Sequence, residues 1–392
     1  MLNLLVITTL FPNSIQHRHG IFVETRLNKI LETGKVRATV IAPVPWFPVK
    51  SQRFQQYSQY VDVPTIEQRN NTVVYHPRYL VIPKVGMLLT PLFLALSILF
   101  CIRKVKKSGH EFDLIDAHYF YPDGVAVALV AKFMKIPFVI SARGSDINLI
   151  TEYKWPRKMI LWAAKHAKAS ITVSSALKNK MVSIGADPEK IHVLRNGVDQ
   201  TVFAPKNHQR MREKFSLQKI TLLSVGNLVE LKGHDLIIKS LQGLPRCELI
   251  IVGSGELEEQ LKALASELNI SDRVRFMGTL RQIELVDLYS AADVLVLASS
   301  REGWANVLLE SMACGTPVAA TNVGGSPEVV CSEAAGILIQ DRTPEGIITA
   351  LNILLKKHIK RCDTQCYAEG FSWEKVVRSQ TDLYIGVLSQ DA

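Results

Sequence analysis

Short apolar runs alternate along the chain with segments in which apolar residues recur at helical spacing. The first half has apolar runs at residues 2–10 and 38–43, separated by a helical pattern at residues 21–31. Runs without polar alternation are typical of strands that are buried on both faces of a parallel sheet. The alternation therefore predicts an α/β fold with helices on both faces of parallel sheets.

The same alternation resumes after a polar, charged stretch at residues 205–216, which we interpret as a linker. A chain of 392 residues is long enough for two domains that each bury a core of their own. We predict a first domain over residues 1–204 and a second over residues 217–372. The remaining residues, 373–392, are expected to form a final helix.

The loop and helix after the apolar run at residues 294–298 carry the strongest signal. A second apolar run follows at residues 318–320, so the order is strand, loop, helix and strand. Gly303 lets the loop turn sharply, and the helix is expected to begin near Asn306. The backbone N–H groups of the first turn, at Asn306 and Val307, have no partner within a helix and can bind an anion.

Two glutamates flank this predicted anion site. Glu302 lies in the loop before the helix, and Glu310 lies one turn inside it, on the same face as Asn306. Carboxylates accept hydrogen bonds from hydroxyl groups and do not bind phosphate. The combination therefore suits a ligand with hydroxyl groups on both sides of a phosphate, such as a nucleotide sugar.

Residues 302–330, EGWANVLLESMACGTPVAATNVGGSPEVV, resemble the paired-glutamate motif of the retaining glycosyltransferases of family 4. The sequence departs from that pattern at Trp304, where Phe or Leu is commoner. The resemblance implies the GT-B fold: two Rossmann-like α/β domains that face a cleft, with a C-terminal helix that crosses back to the first domain. It also implies that Glu302 accepts hydrogen bonds from the transferred sugar and Glu310 from the ribose.

The resemblance extends to the loop after the strand at residues 220–225. Relatives hold the donor diphosphate there with an arginine and a lysine; Lys232 is retained, whereas Asn227 stands at the arginine position. Half of that cationic clamp is then either missing or supplied from elsewhere, and Arg301 and Arg143 are the candidates for supplying it.

Gly253, Gly255 and Met277 complete the expected nucleotide site. Gly253 and Gly255 form a turn that opens a helix, but without a third glycine they do not make a dinucleotide fingerprint. Relatives hold the nucleotide base near Met277, largely through the backbone.

The first domain is expected to contribute four further residues. His118 ends a predicted strand in a segment that resembles the place where relatives keep a histidine on the transferred sugar, and Gly20 opens the first helix beside the diphosphate or the acceptor. Arg143 stands where relatives have histidine, three residues before Asp146, and we place both with the substrate. Contact of Arg143 with an anionic acceptor or phosphate, and a scaffolding pair with Asp146, remain open alternatives.

The uncharged residues 85–102 are followed by five residues, 103–107, of which four are basic. Three interpretations compete: a buried helix of the first domain, a membrane-surface patch, and a membrane span. The net charge of +10 and the pI near 9.2 indicate an anionic partner but do not choose among nucleotide, nucleic acid and membrane.

The N-terminus lacks the basic segment and cleavage site of a signal peptide, and the six cysteines are scattered. We therefore expect reduced thiols and a cytoplasmic protein, with contact to the inner face of the plasma membrane under the patch interpretation.

The sequence as a whole predicts a hexosyltransferase that moves a sugar from a nucleotide-diphosphate donor to a saccharide or lipid-linked acceptor in surface polysaccharide biosynthesis. No cofactor and no nucleic-acid partner are expected. No metal ion is expected either, because the sequence has no Asp-x-Asp arrangement to hold one. Two alternatives stay open: a sugar-nucleotide epimerase of the same fold, and a catalytically silent nucleotide-binding or membrane-scaffold protein.

Overall fold

The computed structural model describes residues 1–46, 60–82 and 86–389. The chain forms two compact units, one of Met1–Arg195 with Lys375–Ala392 and one of Asn196–Glu374. Each is an α/β unit built on its own largely parallel sheet.

The strands of the described residues are β1 (Leu2–Ile7), β2 (Val36–Ile41), β3 (Val44–Trp46), β4 (Ile66–Arg69), β5 (Thr72–Tyr75), β6 (Arg78–Leu80), β7 (Leu114–His118), β8 (Phe138–Ala142), β9 (Ala169–Thr172), β10 (Ile191–Val193), β11 (Ile220–Val225), β12 (Cys247–Val252), β13 (Val274–Phe276), β14 (Val294–Leu297), β15 (Val318–Thr321) and β16 (Gly336–Ile339).

The α-helices of the described residues are α1 (Ile21–Leu31), α2 (Thr90–Lys107), α3 (Val125–Met134), α4 (Ser145–Asn148), α5 (Lys154–His166), α6 (Ser175–Ser183), α7 (His208–Lys214), α8 (His234–Ser240), α9 (Glu258–Glu267), α10 (Gln282–Ala291), α11 (Asn306–Ala313), α12 (Ser326–Val329), α13 (Pro344–Lys356), α14 (Arg361–Glu369) and α15 (Trp373–Ser389).

The sheet of the first unit has the strand order β10-β9-β8-β7-β1-β2-β5-β4. Its strands are parallel except for β4, which pairs antiparallel with β5. From Lys375 onward the C-terminal helix α15 belongs to this unit, as predicted, because Val377, Tyr384 and Val387 are buried in the same core as β1 and α1.

The sheet of the second unit is parallel throughout and has the order β13-β12-β11-β14-β15-β16. Its core includes Leu222 of β11, Ile251 of β12 and Val296 of β14, all almost fully buried. The chain first builds outward from β11 through β12 to β13, then returns to the other side of β11 with β14. Open parallel sheets bind their ligands at such a reversal, beyond the carboxyl ends of the two neighbouring strands.

Residues 205–216, interpreted as a linker, instead contain helix α7 and lie inside the second unit. Lys206 and Lys214 both contact the carboxylate of Asp287 at 2.5 Å, and Arg212 contacts Asp293 at 2.8 Å. The polar composition of the segment therefore reflects ion pairs with the neighbouring helix α10 and its C-terminal flank.

Most of the apolar stretch at residues 85–102, of which residue 85 lies outside the described part, is in helix α2, which begins at Thr90. One face is buried, with Leu94, Ile98 and Ile102 inaccessible to solvent, and the opposite face is exposed. Within the part of the chain that the structure describes, no helix has the length and apolar character needed to cross a membrane.

Candidate functional site

The chain reversal in the second unit brings two loops together at the carboxyl ends of β11 and β14. These strands are neighbours, with Leu222 paired to Val294 and Leu223 to Leu295. Beyond them, the backbone N–H of Ser300 donates to the carbonyl of Leu231 at 2.9 Å. The loop that carries Lys232 is thus fixed against the loop that carries Glu302.

Lys232 and Glu302 form an ion pair at this point. The Nζ of Lys232 lies 2.6 Å from Oε1 of Glu302, and both side chains are largely buried. The lysine stem lies over Gly226, where an added Cβ would meet it at 3.5 Å. On the other side, a Cβ at Gly324 would come within 1.8 Å of the carbonyl oxygen of Glu302, so only glycine permits this backbone approach.

Helix α11 begins at Asn306, as predicted, after a loop that contains Gly303. The residue before it, Ala305, has no side chain that can cap the first turn, so the N–H groups of Asn306 and Val307 are left without an intrahelical partner. The Oδ1 of Asn306 accepts a hydrogen bond from Asn196 at 3.1 Å, a contact that the sequence did not predict.

Glu310 lies four residues into the same helix and accepts a hydrogen bond from the hydroxyl of Tyr289 at 2.9 Å. Burial raises the pKa of Glu310 to about 7, because the carboxylate loses hydration, while the tyrosine hydroxyl acts in the opposite direction. Tyr289 is itself fully buried. The sequence alone did not indicate this contact, because Tyr289 looks like any other buried residue of α10.

The glycine turn after β12 packs tightly on the loop after β11. A Cβ at Gly253 would lie 1.9 Å from the carbonyl of Gly226, and one at Gly255 would lie 2.4 Å from that of Leu228. The N–H of Gly253 donates to Gly278 at 2.8 Å, next to the exposed Met277. Asn227, Gly253, Gly255 and Met277 are therefore gathered on the loops after β11, β12 and β13.

His234 is a further residue of this region that the sequence did not mark. It is buried at the start of α8, where Nδ1 contacts the hydroxyl of Ser224 at 3.1 Å and Nε2 contacts the carbonyl of Asn227 at 3.3 Å. Burial lowers the pKa of His234 to about 4. The neutral ring therefore supports the loop between β11 and Lys232.

In the first unit, His118 is the last residue of β7 and is buried in a polar network. Its Nε2 lies 3.3 Å from Oδ2 of Asp116, and the guanidinium of Arg143 contacts its Nδ1. Burial lowers the pKa of His118, so the ring is neutral at pH 7. With Arg143 as donor, Nδ1 must accept, and the ring proton lies on Nε2 and points to Asp116.

The C-terminal helix extends this network. The hydroxyl of Tyr384 donates to Oδ2 of Asp116 at 2.6 Å, and Gln380 connects Tyr384 to Arg26 of α1. Arg26 also donates to the carbonyl of Leu194 at 3.0 Å. Two helices of the first unit therefore fix the carboxylate that contacts His118.

Asp146 accepts hydrogen bonds from backbone N–H groups of Phe120 and Gly144, both at 2.8 Å, and of Arg143 at 3.1 Å. The Arg143 side chain instead extends to His118, and its Nε and Nη1 are buried without a hydrogen-bond partner among the described residues. The scaffolding contact between Arg143 and Asp146 is thus made by the arginine backbone.

Gly20 precedes α1 with φ 70°, and a Cβ there would lie 2.1 Å from the carbonyl of Leu10. Glycine is required at this position because the loop after β1 folds directly onto it.

The predicted residues therefore form two groups, one in each unit. The second unit gathers Lys232, Glu302, Glu310, the start of α11 and the glycine loops, whereas Arg301, a candidate second cation, is exposed. The first unit joins His118 to Arg143 and places Asp146 beside them. Among the described residues, no three His, Cys, Asp or Glu side chains are grouped so that they could hold a metal ion.

The sequence matches two family descriptions. "Glycosyl transferases group 1" matches residues 205–370, and "Glycosyltransferase Family 4" matches residues 35–202. The chain is 31% identical over 317 residues to a D-inositol 3-phosphate glycosyltransferase of Frankia alni, an alignment that covers 73% of this chain and 78% of the relative.

Two further relatives and one solved structure are similar to this chain. A putative teichuronic acid biosynthesis glycosyltransferase of Bacillus subtilis is 28% identical over 89% of this chain and 88% of its own length. A D-inositol 3-phosphate glycosyltransferase of Mycobacteroides abscessus is 35% identical over 53% of this chain, which spans about half (49%) of that relative. The Anabaena protein HepE, solved in complex with UDP-glucose, superposes with a TM-score of 0.73 at 20% identity, covering 98% of this chain and 100% of HepE.

Proposed function

The chain belongs to the group 1/family 4 glycosyltransferases and shares their GT-B fold class, and on that premise we propose that it transfers a hexose with retention from a nucleotide-diphosphate sugar to a saccharide acceptor. The observation that carries this proposal is the 2.6 Å contact between Lys232 and Glu302 beside the uncapped start of α11. Lys232 on one loop, Glu302 on the adjacent loop, and the free N–H groups and Glu310 of the helix that follows together suit a phosphate flanked by hydroxyl groups.

Lys232 and the amides of Asn306 and Val307 are proposed to stabilise the diphosphate. They would act most strongly on the charge that develops as the diphosphate leaves, which is how a preorganised cation accelerates a reaction. Glu302 would accept hydrogen bonds from the transferred sugar, and Glu310 from the ribose. Gly253, Gly255, Asn227 and Met277 would line the rest of the donor site through their backbones.

The reaction breaks the bond between C1 of the sugar and the diphosphate oxygen, and the acceptor oxygen bonds to C1 on the same face. The acceptor proton passes to the departing phosphate oxygen. We propose this same-face route because Glu302 is assigned to the hydroxyl groups of the transferred sugar and no described residue of the donor site is an obvious covalent nucleophile. No metal or cofactor is part of the proposal, since Lys232 and the helix-end amides can balance the leaving group.

In the first unit, His118 is proposed to orient the sugar and Arg143 to bind an anionic acceptor group. The support for Arg143 is that two nitrogens of its side chain, Nε and Nη1, are buried and have no hydrogen-bond partner among the described residues. Unsatisfied buried donors are costly, and an anionic ligand would satisfy them. Burial lowers the pKa of Arg143 to about 9, so the guanidinium is still charged at pH 7. Gly20 and Gly303 would border the substrate through their backbones.

A lipid-linked saccharide of surface polysaccharide biosynthesis is the acceptor that we propose. The name of the Bacillus subtilis relative refers to teichuronic acid biosynthesis, and an acidic polymer would suit Arg143. Such an acceptor is met at the inner face of the plasma membrane, so we propose a cytoplasmic protein that attaches there peripherally.

The test is a panel of UDP, GDP and ADP sugars incubated with purified protein, with and without bacterial lipid extract and with a chelator present. Release of nucleotide from one donor, stimulated by the extract and resistant to the chelator, is expected. Conversion of the sugar without nucleotide release would indicate an epimerase instead. Binding without either reaction would indicate a silent nucleotide-binding protein.

A further inference from the structure

The exposed face of helix α2 presents a row of apolar side chains that ends in basic ones. Leu92, Leu96 and Phe100, spaced at four residues, are 51%, 53% and 64% exposed. Arg103 and Lys107 continue the same row toward the C-terminus of the helix, and both are exposed. This helix is buried on its other face, so the apolar row is an outward surface of a well-packed element.

Helix α3 widens this surface at its basic end. Phe133 is 62% exposed, and the guanidinium of Arg103 lies 5.3 Å from the centre of its ring. Lys132, the residue before Phe133, is also exposed. We call these residues of α2 and α3, together with Lys104, the apolar-basic face.

The charges on the apolar-basic face indicate what kind of partner it binds. Helix α2 contains no Asp or Glu between Thr90 and Lys107, so a second copy of the chain would find no carboxylate there to pair with its own basic residues. An anionic bilayer satisfies both parts, because phosphate headgroups pair with Lys and Arg while apolar side chains enter the acyl boundary. Leucines and a phenylalanine exposed in one row are costly in water unless they bind something.

We propose that the apolar-basic face docks the first unit onto an anionic membrane surface, with α2 lying in the plane of the interface. This inference deepens the proposed function, on which it rests for a lipid-linked acceptor: it names the surface that would meet the lipid. Vesicle binding and donor binding are measured separately, so failure of one can be told from failure of the other.

The experiment measures co-sedimentation of the full chain with vesicles of phosphatidylcholine alone and of phosphatidylcholine with phosphatidylglycerol. Two variants test the two parts of the face: Leu96→Glu with Phe100→Glu, and Arg103→Glu with Lys104→Glu and Lys107→Glu. The matched control is Ile353→Glu, an isoleucine of the second unit that is 45% exposed. Circular dichroism and nucleotide affinity are recorded for every variant.

The unchanged chain and the Ile353 control are expected to bind the anionic vesicles and to release them at high salt. Each basic residue near an anionic leaflet is worth about fivefold in affinity, so reversal of three should weaken binding by roughly a hundredfold or more. The apolar variant should lose binding to a similar extent with its nucleotide affinity intact. Equal binding of anionic vesicles by all forms would overturn the proposal. So would a dimer of the unchanged chain in solution that becomes a monomer only in the Leu96/Phe100 variant, because the face would then bind a second copy of the chain.

Discussion

Replacement of Lys232 by methionine is the most direct test of the proposed donor site. Methionine keeps the length of the side chain that lies over Gly226 and removes its charge. The Nζ of Lys232 lies 2.6 Å from Glu302, and the two side chains are 22% and 10% exposed. The change therefore deletes one positive charge from the loop pair without opening a cavity.

Two magnitudes separate a catalytic role from a structural one. A partly exposed ion pair contributes about 1 kcal/mol or less to stability, so the melting temperature should fall by only a few degrees. Loss of a preorganised charge that acts on a leaving group costs about a hundredfold in kcat. The variant should therefore fold normally and turn over about a hundred times more slowly.

Steady-state kinetics with the donor identified by the panel, together with thermal unfolding, provide the assay. Glu302→Gln and the double variant complete a cycle, and the two single losses should not add because the side chains are in contact. Arg210→Met, which removes an exposed cation of α7, is the control and should leave kcat unchanged. A fall of less than tenfold in kcat for the Lys232 variant would refute the assigned role.

Three further predictions concern residues around the two groups. Gly324→Ala should disturb the Glu302 loop and raise the donor KM at least about tenfold. The control is Gly34→Ala, which is also at positive φ but has open space around it and should cost only about 1 kcal/mol of stability, with the donor KM unchanged. Equal effects of the two variants on the donor KM would contradict the inference that Gly324 is needed for the close approach to Glu302. Burial raises the pKa of Glu310 to about 7, and its ionised form is the one proposed to accept hydrogen bonds from the ribose, so donor affinity measured calorimetrically should rise between pH 6 and pH 8. Tyr289→Phe removes a hydrogen bond that lowers this pKa, so the midpoint of the rise should move to higher pH; a shift to lower pH would contradict the assignment. Tyr384→Phe should lower kcat by about tenfold and alter the pH profile of kcat, with nucleotide affinity unchanged. The reason is that the Tyr384 hydroxyl donates to Asp116, which in turn contacts His118. An unchanged pH profile would show that Tyr384 has only a structural role.

Local sequence patterns located the elements well where the signal itself was local. Helix α1 spans the predicted residues 21–31, α11 begins at the predicted Asn306, and β14 and β15 coincide closely with the apolar runs that frame the motif. Apolar periodicity, strand-like runs and the glycine-containing turn all act within a few residues of each other, so the sequence alone could show them.

The contacts that join distant segments could not be predicted in the same way. Lys232 and Glu302 are 70 residues apart, and Tyr384 and Asp116 are 268 apart. The first pair depends on which strands become neighbours, and the second on where the last helix packs. Helix α7 was missed for a related reason: its polar composition resembles that of a linker until its partners on and beside α10 are known.

The ion pair between Lys232 and Glu302 has a place in the proposed binding of the donor. Before a donor arrives, Glu302 is paired with Lys232 at 2.6 Å. A diphosphate would compete with Glu302 for Lys232, because it carries more charge and also meets the amides of α11. Glu302 would then be released to accept hydrogen bonds from the sugar that enters with the diphosphate. The ion pair would thus hold the two loops in register without ligand and give way to substrate contacts when the donor binds.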